Sequence, residues 1–213
     1  MNLVDVSLYG IVDPNRSLGR PLPELAKEAA ENGATLIQYR DKQNDIRTMI
    51  DMARDIKLAL EGTGVPLIIN DRVDITLAAK ADGVHLGQED MDTADFAALR
   101  RKGVRIGLST HDESELERAL SLGPEYVALG PVYPTLLKKM KWDPQGLERV
   151  TRWKQMAGET PLVAIGGLTP ERLPGVFAAG ADSAAVVTDI QLADDPEART
   201  REWVAACRRK AAA

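Results

Sequence analysis

The chain has 213 residues, of which 44% are hydrophobic and 28% are charged, and its formal net charge is -5. This composition argues against general disorder, and no apolar run reaches the roughly 18–20 residues that cross a bilayer. With 27 basic against 32 acidic residues and 4% aromatic residues, it gives little support for nucleic-acid binding. The first ten residues lack the basic start and apolar stretch of a secretory signal. We therefore expect neither a membrane nor a nucleic acid as partner.

Cys207 is the only cysteine, so no intrachain disulfide framework can form. This cysteine usage suits a reducing compartment, and we expect a cytoplasmic protein. No linker rich in Pro, Gly or Ser divides the chain, and no repeat stands out. We therefore expect residues 1–213 to form one domain.

Short apolar runs alternate with amphipathic stretches along the chain. The runs are rich in Val, Ile and Leu and follow turn signals, which is typical of buried parallel strands. The amphipathic stretches predict helices, with Asp112 and Thr169 as N-caps and Pro170 in a first helical position. The predicted strands span residues 8–13, 35–41, 66–71, 83–87, 105–110, 126–132, 161–167 and 183–190, and the predicted helices include residues 23–32, 45–61, 112–122 and 170–179.

Eight strand–helix units of about 27 residues each predict a compact (β/α)₈ barrel, the TIM-barrel fold of the α/β class. A doubly wound open sheet is the alternative, but eight nearly equal units without a break in spacing favour closure. In a barrel, functional groups lie at the carboxyl ends of the strands and in the loops that follow. The polar residues at those positions are therefore the candidates for a site.

Cations and hydroxyl groups at the predicted strand ends indicate sites for anions. Gln38, Arg40 and Lys42 alternate along the end of strand 2, so they project together if the extended geometry continues that far. Ser109 ends strand 5, and Lys138 lies in the long loop after strand 6. Two cations on the inward side of a barrel end are costly unless an anion meets them, so we expect an anion site there.

Two carboxylates follow neighbouring strands, Asp71 after strand 3 and Asp90 after strand 4. Mg²⁺ takes one or two carboxylates of this kind and completes its shell with water and substrate phosphates. Gly166 and Gly167 end strand 7, where backbone N–H groups of a barrel often bind phosphate. Two separate phosphate sites imply two phosphorylated substrates or one bisphosphate.

Taken in order, these motifs resemble the thiamine phosphate synthase family. The stretches that carry the resemblance are Gln38-x-Arg40-x-Lys42, Asn70-Asp71, residues 83–90 (GVHLGQED), residues 130–138 (GPVYPTLLK) and Gly166-Gly167. The match runs from Leu8 to about Ile190. It implies a barrel enzyme, a transferase that joins a pyrimidine diphosphate to a thiazole phosphate and releases thiamine phosphate and pyrophosphate.

The resemblance also implies a role for each matched residue. Mg²⁺ would be the cofactor, bound by Asp71 and Asp90. Arg40, Lys42, Ser109 and Lys138 would be catalytic. The pyrimidine diphosphate would be held by Gln38, Tyr39, Arg40, Asp41, Lys42, Asn70, Ser109 and Lys138, and the thiazole phosphate by Thr135, Leu136, Leu137, Gly167, Val187 and Thr188.

The chain departs from the family at one position, because the family's usual Thr-x-Thr-Lys reads Thr135-Leu136-Leu137-Lys138 here. Losing one neutral hydroxyl contact to the thiazole phosphate costs roughly 0.5–1.5 kcal/mol. We expect weaker binding or altered specificity without loss of the reaction. The oligomeric state stays open, a homo-oligomer included.

Three other functions compete with this interpretation. A thiazole tautomerase on a similar barrel would need a proton-transfer residue, for which His111 is the candidate. A non-catalytic sensor of thiamine-pathway phosphates is the second, and an unrelated phosphate-binding barrel such as an aldolase is the third. His85 lies within a predicted strand and is as compatible with a barrel wall as with a ligand.

Overall fold

The structure is a computed structural model, and it describes residues 7–135 and 143–208. Eight parallel strands close into one barrel in the order β1 to β8, with β1 paired to β8. The predicted barrel is therefore confirmed, and the alternative of an open sheet is wrong. The strands are β1 Leu8–Val12, β2 Leu36–Tyr39, β3 Leu67–Asn70, β4 Gly83–Leu86, β5 Arg105–Thr110, β6 Tyr126–Leu129, β7 Leu162–Ile165 and β8 Ser183–Val186.

Ten α-helices and one 3₁₀ helix connect the strands in the described part of the chain. Two of them, α4 and α9, are single turns that the sequence did not predict. They follow β4 and β8 directly. The helices are α1 Leu22–Glu31, α2 Ile46–Ala59, α3 Val73–Ala78, α4 Gln88–Met91, α5 Phe96–Arg101, α6 Glu113–Ser121, α7 Gly146–Ala157, α8 Leu173–Ala178, α9 Thr188–Gln191 and α10 Pro196–Arg208, and the 3₁₀ helix is Pro14–Arg16.

The two predicted N-caps have different outcomes. Asp112 caps α6 as expected, because its carboxylate accepts a hydrogen bond from the N–H of Glu115 at 2.9 Å. The prediction for Thr169 is wrong. A turn intervenes, and α8 begins only at Leu173, with Arg172 at the capping position.

Two apolar cores account for the barrel's packing. The larger one lies between the strands and the helices. The smaller one consists of strand residues and the residue that follows β8, which alternate with the outward-facing ones and fill the barrel interior. It contains Tyr9, Ile11, Leu36, Ile68, Tyr126, Ala128, Val163, Ala185 and Val187.

The amino end of the barrel is closed by side chains that precede each even-numbered strand. Thr35, Asp82, Glu125 and Asp182 each accept a hydrogen bond from a backbone N–H at the start of the preceding odd-numbered strand. Lys57 and Lys154 form ion pairs with Asp82 and Asp182. The polar side chains at this end thus hold the strands together. The functional groups of such a barrel lie at the opposite end, where the strands end. None of the described helices is long and apolar enough to span a membrane.

Candidate active site

Three charged side chains meet at the carboxyl ends of β2, β3 and β4. Lys42 forms an ion pair with Oδ2 of Asp71, and the carboxyl groups of Asp71 and Asp90 interact directly. Asp71 has a left-handed backbone with φ of 61°, a conformation that Asp tolerates better than most residues. The predicted pair of carboxylates is thus brought together.

This pair carries more negative charge than its surroundings neutralise. Burial raises the pKa of the Asp90 carboxyl, and the charge of Asp71 raises it further. The N–H of Gly87, which donates to Asp90 Oδ2 at 3.0 Å, and the charge of Lys42 oppose these effects without cancelling them. Within residues 7–135 and 143–208 there is no cluster of three or more His, Cys, Asp or Glu side chains with metal-binding geometry. A cation held here would therefore have two carboxylates from the described protein and need other ligands.

The row of side chains predicted along β2 separates at the strand end. Gln38 points into the barrel, but β2 ends at Tyr39, so strict alternation stops there. Arg40 turns towards β1, where its Nη1 lies 2.5 Å from Oδ2 of Asp13. Lys42 turns towards β3 and Asp71. The two cations thus flank the end of β2 on opposite sides instead of forming one row.

Tyr39 and Asp41 shape the loop after β2. Tyr39 packs in the larger core between the strands and the helices, and its hydroxyl donates to Asp41 Oδ2 at 2.8 Å. Burial opposes ionisation of Asp41, but hydrogen bonds from the N–H groups of Gln43 and Asn44, the Asn44 amide and Tyr39 outweigh it and hold the pKa of this carboxyl below its usual value. These hydrogen bonds hold the loop after β2, and contact of Tyr39 and Asp41 with the pyrimidine diphosphate stays a prediction.

A chain of hydrogen bonds crosses the barrel interior below the rim. Gln38 Nε2 donates to the Tyr9 hydroxyl at 2.6 Å, and the hydroxyls of Tyr9 and Tyr126 lie 2.8 Å apart. The Tyr126 hydroxyl is 2.9 Å from His85 Nδ1, and His85 Nε2 is 2.7 Å from Ser109 Oγ. Five different strands supply these five side chains, so the network joins two predicted substrate contacts, Gln38 and Ser109.

The direction of the protons in this network follows from its two ends. Burial lowers the pKa of His85 to about 4, so the imidazole is neutral near pH 7 and has a single N–H. With the Gln38 amide oriented to donate to Tyr9, the Tyr9 hydroxyl donates to Tyr126, and Tyr126 donates to Nδ1. The N–H is then on Nε2 and donates to Ser109. The hydroxyl proton of Ser109 is therefore directed away from His85.

Tyr9 and Tyr126 were not predicted from the sequence, and the role of His85 was left open. A signal was present in Gly107, which pairs with Tyr126 in the strand register. A Cβ atom at Gly107 would lie 2.0 Å from Cζ of Tyr126, so the ring occupies the space that a side chain would need. A glycine within a strand often marks such a close approach.

A further predicted contact, Asn70, lies at the same rim, and Gln88 lies near it. Asn70 is half-buried at the end of β3, where it pairs in register with His85. Gln88 Nε2 donates to the backbone carbonyl of Ser109 at 2.7 Å and so fixes the end of β5.

The glycines after β7 are required by the packing of two loops. Gly166 and Gly167 have φ values of 95° and 65°. A Cβ atom at Gly167 would lie 2.4 Å from the carbonyl oxygen of Pro134, next to Thr135. Arg172 donates to the carbonyl of Gly167 and stacks on the Tyr133 ring at 4.6 Å. The loops after β6 and β7 are thus joined into one surface.

The remaining predicted residues of the thiazole subsite fall into two groups. Val187 belongs to the smaller core inside the barrel, and Thr188 begins α9. Leu136, Leu137 and Lys138 lie outside the described residues.

A sequence model described as thiamine monophosphate synthase matches residues 8–190. The chain belongs to this family. It is 54% identical to the thiamine-phosphate synthase of Rhizobium etli over 174 residues, which cover 82% of this chain and 85% of the relative. It is 45% identical to that of Agrobacterium fabrum over 194 residues, covering 89% and 88% of the two chains. The predicted family, a family of transferases, is confirmed.

A solved structure supports the same family. The thiamine phosphate pyrophosphorylase of Pyrococcus furiosus superposes with a TM-score of 0.86 at 30% identity, and the match covers 98% of this chain and 99% of that one. The tautomerase alternative relied on His111, whose Nδ1 lies 2.8 Å from Glu115 Oε2 on α6. Since the relatives reported above are named as synthases, we prefer that function to the tautomerase and the sensor.

Proposed function

We propose that this protein catalyses the joining of a pyrimidine diphosphate to a thiazole phosphate, with thiamine phosphate and pyrophosphate as products. Membership of the thiamine monophosphate synthase family supports this reaction. The observation that carries the assignment to the barrel rim is the contact of Lys42 with the Asp71–Asp90 pair. Lys42 would bind the diphosphate, and the two carboxylates are hard oxygen donors for a metal ion. Both kinds of group stabilise the negative charge of departing pyrophosphate.

The donor set fits a divalent cation. Asp71 and Asp90 would hold Mg²⁺, an ion that keeps water and phosphate oxygens as its other ligands. When bound, this ion supplies neutralisation of the charge on the diphosphate. The raised pKa of Asp90 supports the same assignment, because a cation relieves the repulsion between the two carboxylates.

The pyrimidine diphosphate would lie across the ends of β2, β3 and β5. Arg40 and Lys42, which flank β2, would bind its phosphates from two sides. Ser109 would donate its outward-directed hydroxyl proton to a phosphate oxygen, while Gln38 and Asn70 would contact the substrate from below. Lys138, from the loop after β6, would add a third cation.

The bond to the leaving group would break before the new bond forms. An electron-rich aminopyrimidine stabilises a cation at its exocyclic methylene carbon, and the neutral thiazole nitrogen then captures that carbon. The nitrogen has no proton to lose, so this step needs no general base. Burial keeps His85 neutral and paired at both ring nitrogens, which suits a positioning role better than proton transfer.

The thiazole phosphate would bind on the other side of the rim, above β6, β7 and β8. The joined loops that contain Thr135 and Gly167 would contact it, together with Leu136, Leu137, Val187 and Thr188. Arg172 adds a positive charge beside Gly167. Cys207 is a buried thiol of α10 whose Sγ donates to the Ser7 carbonyl oxygen at 3.6 Å, which is in keeping with the proposed cytoplasmic location. A homo-oligomer is left open.

The experiment is a two-substrate assay with Mg²⁺ that measures pyrophosphate and thiamine phosphate separately. We expect both products in equal amounts and no product after chelation of the metal. An active relative assayed in parallel is the control. Thiazole isomerisation without pyrophosphate release would instead establish the tautomerase, and binding of the phosphates without product would establish the sensor.

A further inference from the structure

The buried residue Asp13, at the end of β1, connects two parts of the rim that the proposed function uses separately. Its side chain is 2% exposed. Oδ2 accepts from Arg40 Nη1 at 2.5 Å, and Oδ1 accepts from the N–H of Asn15 at 2.9 Å. Arg40 itself remains 30% exposed, so part of its guanidinium faces the open side of the rim.

The backbone of Asp13 bonds in the opposite direction. Its N–H donates to Gln191 Oε1 at 3.0 Å, and its carbonyl accepts from Gln191 Nε2 at 3.4 Å. Gln191 is 2% exposed and is the last residue of α9, the turn that begins with Thr188. A continuous path of hydrogen bonds therefore runs from Arg40 on the β2 side, through Asp13, to α9 on the β8 side.

This arrangement differs from the carboxylates at the other end of the barrel. Asp182 accepts from the N–H of Leu162 and pairs with Lys154, so it closes the start of a strand. The Asp13 carboxylate caps the 3₁₀ helix through the N–H of Asn15 and holds Arg40, a cation that the proposed function assigns to the diphosphate. A buried carboxylate is costly unless it is paired, so the Asp13 carboxylate depends on Arg40 and the N–H of Asn15.

The pairing with Asp13 also affects the orientation of the Arg40 guanidinium. Arginine presents five N–H donors in a rigid fork, and the hydrogen bond to Asp13 uses one of them. The hydrogen bond at Nη1 restrains the group, and its other donors are left for an anion. The charged pair thus restricts the Arg40 side chain before the anion binds. Little further side-chain mobility is therefore lost on binding.

We propose that Asp13 is a positioning residue for the pyrimidine diphosphate. It holds Arg40 in the orientation that the diphosphate requires and, through Gln191, keeps that orientation in register with α9, beside the subsite for the thiazole phosphate. This role rests on the proposed function, since it assigns Arg40 to the diphosphate.

The first test measures pyrophosphate binding by calorimetry in the presence of Mg²⁺. Asp13→Asn retains the shape of the side chain, the acceptor for Asn15 and both backbone bonds to Gln191. We expect about tenfold weaker binding in this variant and a similar rise in the KM for the pyrimidine diphosphate, with kcat within about twofold. In an Arg40→Gln background, Asp13→Asn should cause no further loss. The matched control, Asp182→Asn, should bind pyrophosphate as the wild type does.

Two outcomes of this cycle overturn the positioning role: wild-type pyrophosphate affinity in Asp13→Asn, or an equal loss with and without Arg40. Binding needs no turnover, so the cycle is independent of the activity assay. A wild type that binds pyrophosphate with this coupling but makes no thiamine phosphate contradicts the proposed function, while Asp13 remains a positioning residue for Arg40 at a diphosphate site.

Two further variants keep the test decisive if Asp13→Asn does not fold. Arg40→Lys keeps the charge but replaces the fork by a point charge next to Asp13, so we expect it to lose nearly as much pyrophosphate affinity as Arg40→Gln. Gln191→Met removes both bonds to the Asp13 backbone and should raise the KM of both substrates about fivefold. Wild-type affinity in Arg40→Lys overturns the role of the fork, and unchanged KM values in Gln191→Met overturn the link to α9.

Discussion

The hydroxyl of Tyr126 lies 2.9 Å from Nδ1 of His85, and the two rings stack with centroids 5.5 Å apart and an interplanar angle of 20°. Stacking and hydrogen bonding together leave the imidazole a single orientation inside the barrel. His85 therefore presents Nε2 to Ser109 at the rim. This buried pair thus sets the direction of a hydroxyl that the proposed function assigns to the substrate.

Tyr126→Phe tests this relationship. The variant leaves His85 Nδ1 without its donor and the Tyr9 hydroxyl without its acceptor, so we expect a loss of about 1–3 kcal/mol in unfolding free energy. We also expect kcat to fall about tenfold as Ser109 loses its orientation. Urea unfolding and steady-state kinetics measure the two effects. In a Ser109→Ala background the loss of stability should persist while kcat falls no further; an additional fall would show that Tyr126 acts by another route.

The buried His85 predicts how stability depends on pH. Its folded pKa of about 4 lies below its ordinary value of 6.5, so the unfolded chain takes up a proton first as the pH falls. The stability contributed by neutral His85 is complete above pH 6.5 and is lost progressively towards pH 4, by on the order of 3 kcal/mol. Urea unfolding of the metal-free wild type and His85→Gln measures it. The wild type's advantage should shrink between pH 7 and 4, and a constant difference would contradict a neutral folded imidazole.

Gly107→Ala should disrupt the interior of the barrel. The added methyl group would lie 2.0 Å from Cζ of Tyr126, and a ring in a packed interior cannot move away. We expect a loss of about 3 kcal/mol or more in unfolding free energy. The matched control is Gly175→Ala in α8, where the new Cβ would lie 3.3 Å from one flexible leucine methyl group. That change should be neutral or slightly stabilising, and equal losses in both variants would argue against a specific clash.

Asp90→Asn separates binding of the metal from stability. The amide keeps an acceptor for Gly87 N–H and removes the repulsion with Asp71, so the metal-free protein should gain up to about 1 kcal/mol at pH 7. Synthesis of thiamine phosphate should be lost, together with the rise in Tm that Mg²⁺ and pyrophosphate give the wild type. Asp92→Asn, which breaks an exposed pair with Arg118, is the control and should retain both. A full response to Mg²⁺ in Asp90→Asn would remove Asp90 from the metal site.

Leu137→Thr restores the hydroxyl that the family usually has at this position. We expect the KM for the thiazole phosphate to fall about two- to tenfold, because one neutral hydrogen bond is regained. The KM for the pyrimidine diphosphate should stay unchanged, which serves as the internal control of the kinetic measurement. An unchanged KM for the thiazole phosphate would place residue 137 outside that subsite.

The fold and the candidate site could be predicted from the amino-acid sequence. Eight apolar runs at even spacing predict a closed barrel, because each strand–helix unit can bury its apolar face only against its neighbours. Polar residues at the strand ends then mark the functional rim, since parallel strands bring their carboxyl ends to one side. The proximity of Asp71 and Asp90 was predicted in this way, and the order of the motifs predicted the family.

Which side chains contact each other could be seen only in the folded barrel. Arg40 and Lys42 are two positions apart, but the end of β2 lets one turn to Asp13 and the other to Asp71, on opposite neighbouring strands. Tyr9 and Tyr126 are 117 positions apart in sequence and meet because closure places their strands across one interior. Local patterns of residues determine which face a side chain occupies, whereas its partner depends on register and closure, which are properties of the whole barrel.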